Sequence, residues 1–221
     1  MRGAAAAPAI AIAAALLGLA APPAAAQGKP GAPAGPGSYG QRFAALCAAC
    51  HGANGRSELP GTPALAGQHS FYAITQLYLF REGRRANEAM SAVAKTMNDT
   101  DLRGFSDFIA TLPPVPAPPP ATPPEAARML RGQALAQEHR CLSCHGADLS
   151  GGQQVPRLAQ QREDYLQLTL REFSSGKRPG YTQAMGAALS GIPVADLDTL
   201  AYYIARFPGA APSTPPKPSG K

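Results

Sequence analysis

Apolar residues recur at three- and four-residue steps along several stretches of the chain, which predicts amphipathic helices. Together with the segments that lead into two cysteine motifs, the predicted helices cover 39–47, 69–81 and 102–112 in the first half and 124–140, 161–173 and 197–207 in the second. Asn98 or Thr100 suits the N-cap of the last helix in the first half, and Pro193 suits the first helical position of its counterpart. Because β-branched residues are scarce and no stretch forms a convincing strand, the pattern predicts an all-α fold.

The same arrangement of residues occurs twice along the chain. Cys47 and Cys141 open two similar motifs and lie 94 positions apart. The residues that follow also correspond: Pro63-Ala64-Leu65-Ala66 matches Pro156-Arg157-Leu158-Ala159, Tyr72 matches Tyr165, Phe80 matches Phe173, Arg85 matches Arg178 and Met90 matches Met185. This period is too long for a solenoid unit and indicates two copies of a small domain. We therefore predict tandem helical domains over 38–112 and 125–208.

Proline-rich segments flank and separate the two predicted domains. Eight of the twelve residues from 113 to 124 are proline, so this linker is expected to be a semi-rigid spacer. A polyproline segment of this length reaches roughly 35 Å, which leaves the packing of the two domains open. The segments 27–37 and 209–221 have a similar composition, and we expect both to be disordered.

The first 26 residues show the three-part pattern of a secretory signal peptide. Arg2 provides a positive start, an Ala-rich apolar run covers 4–21, and 24–26 are small residues suited to cleavage before Gln27. A retained membrane anchor is the alternative, but a run made mostly of alanine is only weakly apolar. No other stretch is apolar enough to span a bilayer, so we expect an exported protein of the bacterial periplasm.

Two five-residue motifs carry the strongest chemical signal in the chain. They are Cys47-Ala48-Ala49-Cys50-His51 and Cys141-Leu142-Ser143-Cys144-His145. Residues three and four apart share a helix face, so the two thiols of each motif can reach both vinyl groups at one edge of a porphyrin. The following histidine then lies below the ring, where its imidazole can bind iron. The motifs predict two covalently bound haem c groups.

Two other uses of these cysteines compete with haem attachment. Paired Cys-x-x-Cys motifs can form a zinc ribbon, but its pairs are usually closer together, and zinc does not explain a histidine after both pairs. A disulfide framework or a thioredoxin-like redox pair is the second alternative. A thioredoxin-like fold requires strands around the motif, and the sequence predicts none.

Met90 and Met185 are the candidates for the second axial ligand of each iron. They follow His51 and His145 by 39 and 40 residues, and we place both in loops before the closing helix. A single methionine is more often core filler, but the matched positions favour ligation. The remaining methionines and histidines are unmatched in the repeat: we predict core positions for Met97 and Met129, and surface or helix-end positions for His69 and His139.

Pro63 and Pro156 follow the two motif histidines by 12 and 11 residues. A ligating imidazole needs an acceptor for its other ring N–H, which fixes the tautomer and raises its basicity. A backbone carbonyl in a rigid proline segment can supply that acceptor, although a simple loop proline is the alternative. The recurrence of a leucine two residues later, at Leu65 and Leu158, favours the role beside haem.

Each half resembles a class I cytochrome c domain, and the duplicated arrangement resembles the dihaem cytochrome c4 family over residues 38 to 208. The resemblance rests on Cys-x-x-Cys-His, Pro-x-Leu, the matched methionines and the closing helices, with Leu65-Ala66-Gly67-Gln68 and Gly83-Arg84-Arg85 leading to Met90. It implies an all-α fold, His/Met ligation of both haems and electron delivery towards a terminal oxidase or reductase. Gln160 stands where the first half has Gly67, and two extra residues precede Met185, so the second distal segment is expected to differ.

Charge and composition restrict the partners only weakly. The formal net charge is +6, but the basic residues are scattered and export argues against nucleic acid. We expect redox proteins as partners, either a membrane oxidase or reductase or a dehydrogenase, and contact with a membrane only through such complexes. A dehydrogenase cytochrome subunit is the main alternative to a free carrier, and a dihaem peroxidase is a weaker one because both halves offer a methionine. Four basic residues that recur before the methionines are candidates for partner docking, for pairing with haem propionates or for a solvated loop: Arg84, Arg85, Lys177 and Arg178.

Overall fold

The computed structural model describes residues 36–116, 118, 122–178 and 183–207. The first half forms α1 (Pro36–Leu46), α2 (Ala48–His51), α3 (Ser70–Arg81), α4 (Glu88–Ala94) and α5 (Asp99–Thr111). The second half repeats this order with α6 (Ala126–Glu138), α7 (Cys141–His145), α8 (Glu163–Ser174), α9 (Ala184–Leu189) and α10 (Val194–Arg206). The described residues contain an isolated bridge between Gly152 and Val155 but no strand, in agreement with the predicted all-α class.

Helix starts and ends follow local chemistry. Asn98 caps α5, accepting a hydrogen bond from the backbone N–H of Asp101, whose side chain accepts in return from the N–H of Asn98. This capping box selects Asn98 over Thr100 as the start of the closing helix. In the second half the sequence predicts Pro193 at the first helical position, but the structure makes Pro193 the N-cap, so α10 begins one residue later, at Val194. Its fixed φ still prepares the chain to enter the helix.

Three of the predicted assignments need correction. Met90 and Met185 lie in the short helices α4 and α9 rather than in loops, because helix-forming Ala residues lie on both sides of each of them. Helix α1 begins at Pro36, so the last two residues of the segment 27–37 are helical rather than disordered. The signal peptide, the rest of that segment and the tail 209–221 lie outside the described residues.

Each half has its own apolar core where its first helix meets its closing helix. In the first half Tyr39 on α1 packs edge-to-face on Phe105 of α5, with ring centroids 5.2 Å apart. Gly104 lies under the Tyr39 ring, where an added Cβ would come within 2.0 Å of the ring. In the second half the glycine lies on the first helix rather than on the closing helix. A Cβ on Gly132 of α6 would lie 2.3 Å from Cβ of Tyr203 on α10. A glycine thus permits both crossings.

Gly132→Ala is expected to destabilise the second half by about 1–3 kcal/mol, because the new methyl group overlaps Tyr203 and overpacking of this kind outweighs the gain in helix propensity. Denaturant unfolding of the haem-loaded protein measures the change. Gly152→Ala is the matched control, since a Cβ there meets nothing within 4 Å. Equal effects of the two substitutions would contradict the crossing contact.

The two halves pack against each other through side chains that bond the opposite backbone. These contacts all lie within the unit Pro33–Lys221, and they join Gln68 to Arg157, Gln161 to Ala64, His69 to Ser150, Asp164 to Gly61 and Arg162 to Ser57. Pro114, at the start of the linker, also packs on Gly67, where a Cβ would come within 2.6 Å of its ring. The proline-rich linker therefore joins halves that are in direct contact.

The helices within the described residues include none that is long and apolar enough to cross a membrane.

Candidate haem sites

The first Cys-x-x-Cys-His motif forms a single helical turn. Cys47 is the N-cap of α2, and Cys50 and His51 lie on its next turn, so the two thiols and the imidazole share one face. Gly52 ends the helix with φ of 76°, a backbone conformation that favours glycine. His51 is only 5% exposed, whereas Cys50 is exposed at the surface.

The second motif repeats this arrangement. Cys141, Cys144 and His145 lie in α7, and Gly146 ends that helix with φ of 82°. His145 is 4% exposed. All four cysteines of the two motifs are free thiols, so the structure pairs none of them in a disulfide.

Both motif histidines bond the proline carbonyls that the sequence indicated. Nδ1 of His51 lies 3.0 Å from the carbonyl oxygen of Pro63, and Nδ1 of His145 lies 3.0 Å from that of Pro156. The carbonyls can only accept, so each Nδ1 carries the proton and Nε2 is the nitrogen suited to bind iron. Burial lowers the pKa of both imidazoles, against the opposing effect of these hydrogen bonds. This shift favours the neutral imidazole, which is the form that binds a metal.

Matched apolar side chains surround each motif. Cys47, Leu65 and Met90 are partly buried against the core of the first half, which includes Phe43 and Phe105. Their repeat partners in the second half, Cys141, Leu158 and Met185, are partly buried against the other core. A half-buried apolar rim beside two thiols and a neutral imidazole fits the mostly apolar faces of a porphyrin.

The methionines differ in their surroundings as the repeat predicts. The backbone N–H of Met90 donates to Oδ1 of Asn87, the N-cap of α4, at 2.9 Å, which fixes this helix where Met90 reaches the rim. Met97 is 5% exposed and belongs to the first core. Met129 packs on the second core from α6. Met97 therefore occupies a core position as predicted, whereas Met129 is only partly buried against its core.

The other two histidines are at helix ends, as predicted. His69 is the N-cap of α3 and His139 is the C-cap of α6. The sequence did not predict that Nε2 of His69 would donate to the carbonyl of Ser150 at 2.9 Å across the two halves. A contact between distant segments leaves no trace in local periodicity.

A cluster of charged and phenolic groups lies where the two halves meet. Arg85 and Arg178 both donate to the hydroxyl oxygen of Tyr165, at 3.0 and 3.3 Å. Their other guanidinium nitrogens donate to the repeat-related side chains of Gln76 and Thr169, at 2.8 and 2.9 Å. Burial raises the pKa of Tyr165, but the two arginine charges outweigh it and bring that pKa to about 7.

This cluster corrects the expectation for the basic residues before the methionines. Arg178 is 6% exposed, so it belongs neither to a solvated loop nor to an open docking surface. Arg85 is half-buried, whereas Arg84 and Lys177 are exposed. The recurrence of Tyr and Arg at one spacing in both halves was the available signal for the cluster.

Comparison with known proteins agrees with these features. The sequence model described as cytochrome c matches residues 38–113 and again 129–207. The chain belongs to the cytochrome c family. It is 36% identical to cytochrome c4 of Thiocapsa roseopersicina over 155 residues, which is 65% of this chain and 78% of that protein. The solved cytochrome c4 structure of Acidithiobacillus ferrooxidans superposes with a TM-score of 0.63 at 30% identity, covering 73% of this chain and 98% of that one.

Within the family the protein is a dihaem, cytochrome c4-like protein with two covalent haem c groups that transfers electrons. A second kind of relative is also similar: the thiosulfate dehydrogenase electron acceptor of Thiomonas intermedia, strain K12. It is 32% identical over 181 residues, which cover 79% of this chain and 82% of that protein. Redox proteins are therefore the partners of this chain.

Proposed function

We propose that the protein is a periplasmic carrier that passes single electrons between respiratory donors and a terminal oxidase or reductase. In this proposal Cys47 and Cys50 hold one haem between His51 and Met90. The second haem is held in the same way by Cys141, Cys144, His145 and Met185. The observation that carries the proposal is the repeated site. Each half has a buried histidine hydrogen-bonded to a proline carbonyl, and a matched methionine packed against the core of the same half.

The residues around each site bind and insulate the cofactor. When bound, haem iron supplies a one-electron ferric/ferrous couple, and a methionine ligand raises its potential. The Pro63 and Pro156 carbonyls hold the imidazoles in one tautomer and orientation. The two apolar cores keep water away from the ligands, which limits the rearrangement that accompanies a change of charge.

The cluster around Tyr165 supplies positive charge for haem propionates. Arg85 and Arg178 bring two cations to one phenol and lower the pKa of Tyr165 to about 7, while Glu172, 3.9 Å from Arg178, offsets part of this charge. Carboxylates balance such a pair of guanidinium groups through charge-assisted hydrogen bonds. The buried position of Arg178 supports this role over docking of a protein partner.

Export belongs to the proposal as well. The pattern of residues 1–26 supports cleavage before Gln27, which places the mature chain in the periplasm.

A cytochrome subunit or dedicated acceptor of a dehydrogenase is the second candidate function. It is favoured by the similarity to the thiosulfate dehydrogenase electron acceptor of Thiomonas intermedia. Both candidates use the same two sites and differ only in the protein that delivers the electrons.

The reduced protein is expected to bind carbon monoxide poorly at neutral pH and to turn over peroxide negligibly, because in this proposal Met90 and Met185 would already bind the two irons. Stopped-flow absorption measures both reactions. The oxidised protein should still accept electrons rapidly from small redox dyes, since electrons tunnel to a haem without a ligand leaving.

Purified partners then separate the two candidate functions. Rapid reduction by a thiosulfate dehydrogenase with slow oxidation by a terminal oxidase favours the acceptor function, and rapid exchange with the oxidase favours the respiratory carrier. Rapid carbon monoxide binding to one haem together with peroxide turnover would contradict both and favour a peroxidase.

A further inference from the structure

Two buried glutamines cross between the halves in a symmetric pair. Gln68 and Gln161 occupy matched positions of the repeat, 93 residues apart, and are 7% and 6% exposed. Gln161 accepts from the backbone N–H of Ala64 at 2.7 Å and donates to the carbonyl of Ala64 at 2.9 Å. Gln68 accepts from the N–H of Arg157 at 3.1 Å and donates to its carbonyl at 2.7 Å.

The residues that these glutamines bond are next to the prolines that hold the motif histidines. The N–H of Ala64 and the carbonyl of Pro63 belong to one peptide group, and that carbonyl accepts from Nδ1 of His51 at 3.0 Å. A short chain of hydrogen bonds therefore runs from His51 through a single peptide group to Gln161 in the other half. The peptide after Pro156 makes the same connection, from His145 to Gln68.

Hydrogen bonds in such a chain polarise one another. An acceptor on the N–H of a peptide group makes its carbonyl oxygen more negative and a better acceptor in turn. A stronger acceptor at Nδ1 gives the imidazole more anionic character and makes it a more basic ligand. A more basic ligand favours ferric over ferrous iron, so the glutamine lowers the reduction potential.

The other contacts between the halves lack this arrangement. His69 bonds the carbonyl of Ser150, and Asp164 bonds the N–H of Gly61. Arg162 bonds the carbonyl of Ser57, and Arg85 bonds the hydroxyl of Tyr165. None of these contacts reaches a peptide group that holds a motif histidine. The two glutamine contacts alone among these repeat symmetrically and end on those peptide groups, which simple adhesion between the halves does not require.

We propose that Gln161 and Gln68 are positioning residues that act across the domain interface, each lowering the reduction potential of the haem attached to the opposite half. The inference rests on the proposed ligation of iron by His51 and His145. It makes each potential depend on contact between the halves, so the two haems of one chain are tuned by their neighbours.

Gln161→Met tests the proposal in the full-length, haem-loaded protein. The methionine keeps the volume but offers no comparable acceptor, so the haem bound to Cys47 and Cys50 should shift towards the ferrous form. We expect a change of about two- to fivefold in its ferric/ferrous equilibrium, where tenfold corresponds to about 59 mV for one electron. A redox titration followed by NMR of the haem methyl groups resolves the two haems.

Three further variants sharpen the test. Gln68→Met should shift the haem bound to Cys141 and Cys144 instead. Gln161→Glu, measured at a pH where its carboxyl is protonated, keeps both an acceptor and a donor and should restore the wild-type potential. His69→Ala removes a contact between the halves that touches neither peptide group. It should leave the ferric/ferrous equilibrium of both haems within twofold of its wild-type value.

The crossed pattern decides the outcome. The proposal is supported if each methionine variant raises the reduction potential of the haem in the opposite half. The NMR signal of the Nδ1 proton of the affected histidine should also move upfield, because its hydrogen bond weakens. Unchanged potentials, shifts confined to the haem of the substituted half, or an equal shift in His69→Ala would overturn it. If wild-type protein lacks the NMR signals of His/Met ligation, the proposed ligation itself fails, which is distinct from failure of the tuning alone.

Discussion

A chain with both Cys141→Ala and Cys144→Ala is expected to weigh one haem less than the wild-type protein after denaturation, and to lose the folded structure of its second half. The wild-type mature chain should retain two haems under the same conditions, because thioether bonds survive denaturation. Mass spectrometry measures the attachment, and unfolding followed by circular dichroism measures the loss of structure.

The size of this effect follows from the composition of the second half. Its core holds many small or medium side chains, and the rim that includes Leu158 and Met185 is only partly buried by protein atoms. Without haem the side chains of this rim stay exposed to water, so they contribute no hydrophobic free energy to folding. We expect a loss of about 5 kcal/mol, the lower end of the total stability of a small domain.

Ser143→Ala is the matched control for the cysteine variants. Ser143 lies between the two cysteines in α7, and its hydroxyl donates to the carbonyl of Arg140 at 2.7 Å. The variant should keep both haems and lose no more than about 1 kcal/mol of stability, the usual worth of one hydrogen bond. Haem that dissociates from wild-type protein in acidic organic solvent would refute covalent attachment.

Local patterns in the sequence predicted the longer helices and the residues of both motifs. The predicted helix 69–81 differs by one residue from α3, which begins at Ser70, because apolar spacing records a buried face directly. Helix α4 contains only seven residues, too few for a periodic signal, so the sequence alone predicts a loop at Met90.

Contacts between the halves could not be predicted in the same way. The burial of Arg178 and the pairing of Gln161 with Ala64 depend on how two domains dock, and a proline-rich linker suggested that they could stand apart. The sequence repeat does show that Gln68 and Gln161 occupy corresponding positions. A glutamine at such a position is usually a surface residue, so correspondence alone did not identify its role.

Met90→Ala and Met185→Ala are each expected to lower the reduction potential of one haem by on the order of 0.1 V, within the range of about 0.8 V that axial ligands span. Removal of a thioether ligand takes away the stabilisation of ferrous iron. Each variant should also lose about half of the weak far-red absorption that methionine sulfur bound to ferric haem produces. Potentiometry and optical spectra of the oxidised protein measure both changes.

Met97→Ala separates ligation from packing, because Met97 lies in the same half as Met90 but is buried in its core. The truncation should cost about 2–5 kcal/mol of stability, as for other buried methionines, while the far-red absorption and both potentials stay near their wild-type values. Met129→Ala is the corresponding control on the second core, where the side chain is only partly buried and the cost is smaller. If Met97→Ala removes the far-red absorption and Met90→Ala keeps it, the repeat has been aligned on the wrong methionine and Met97 is the ligand.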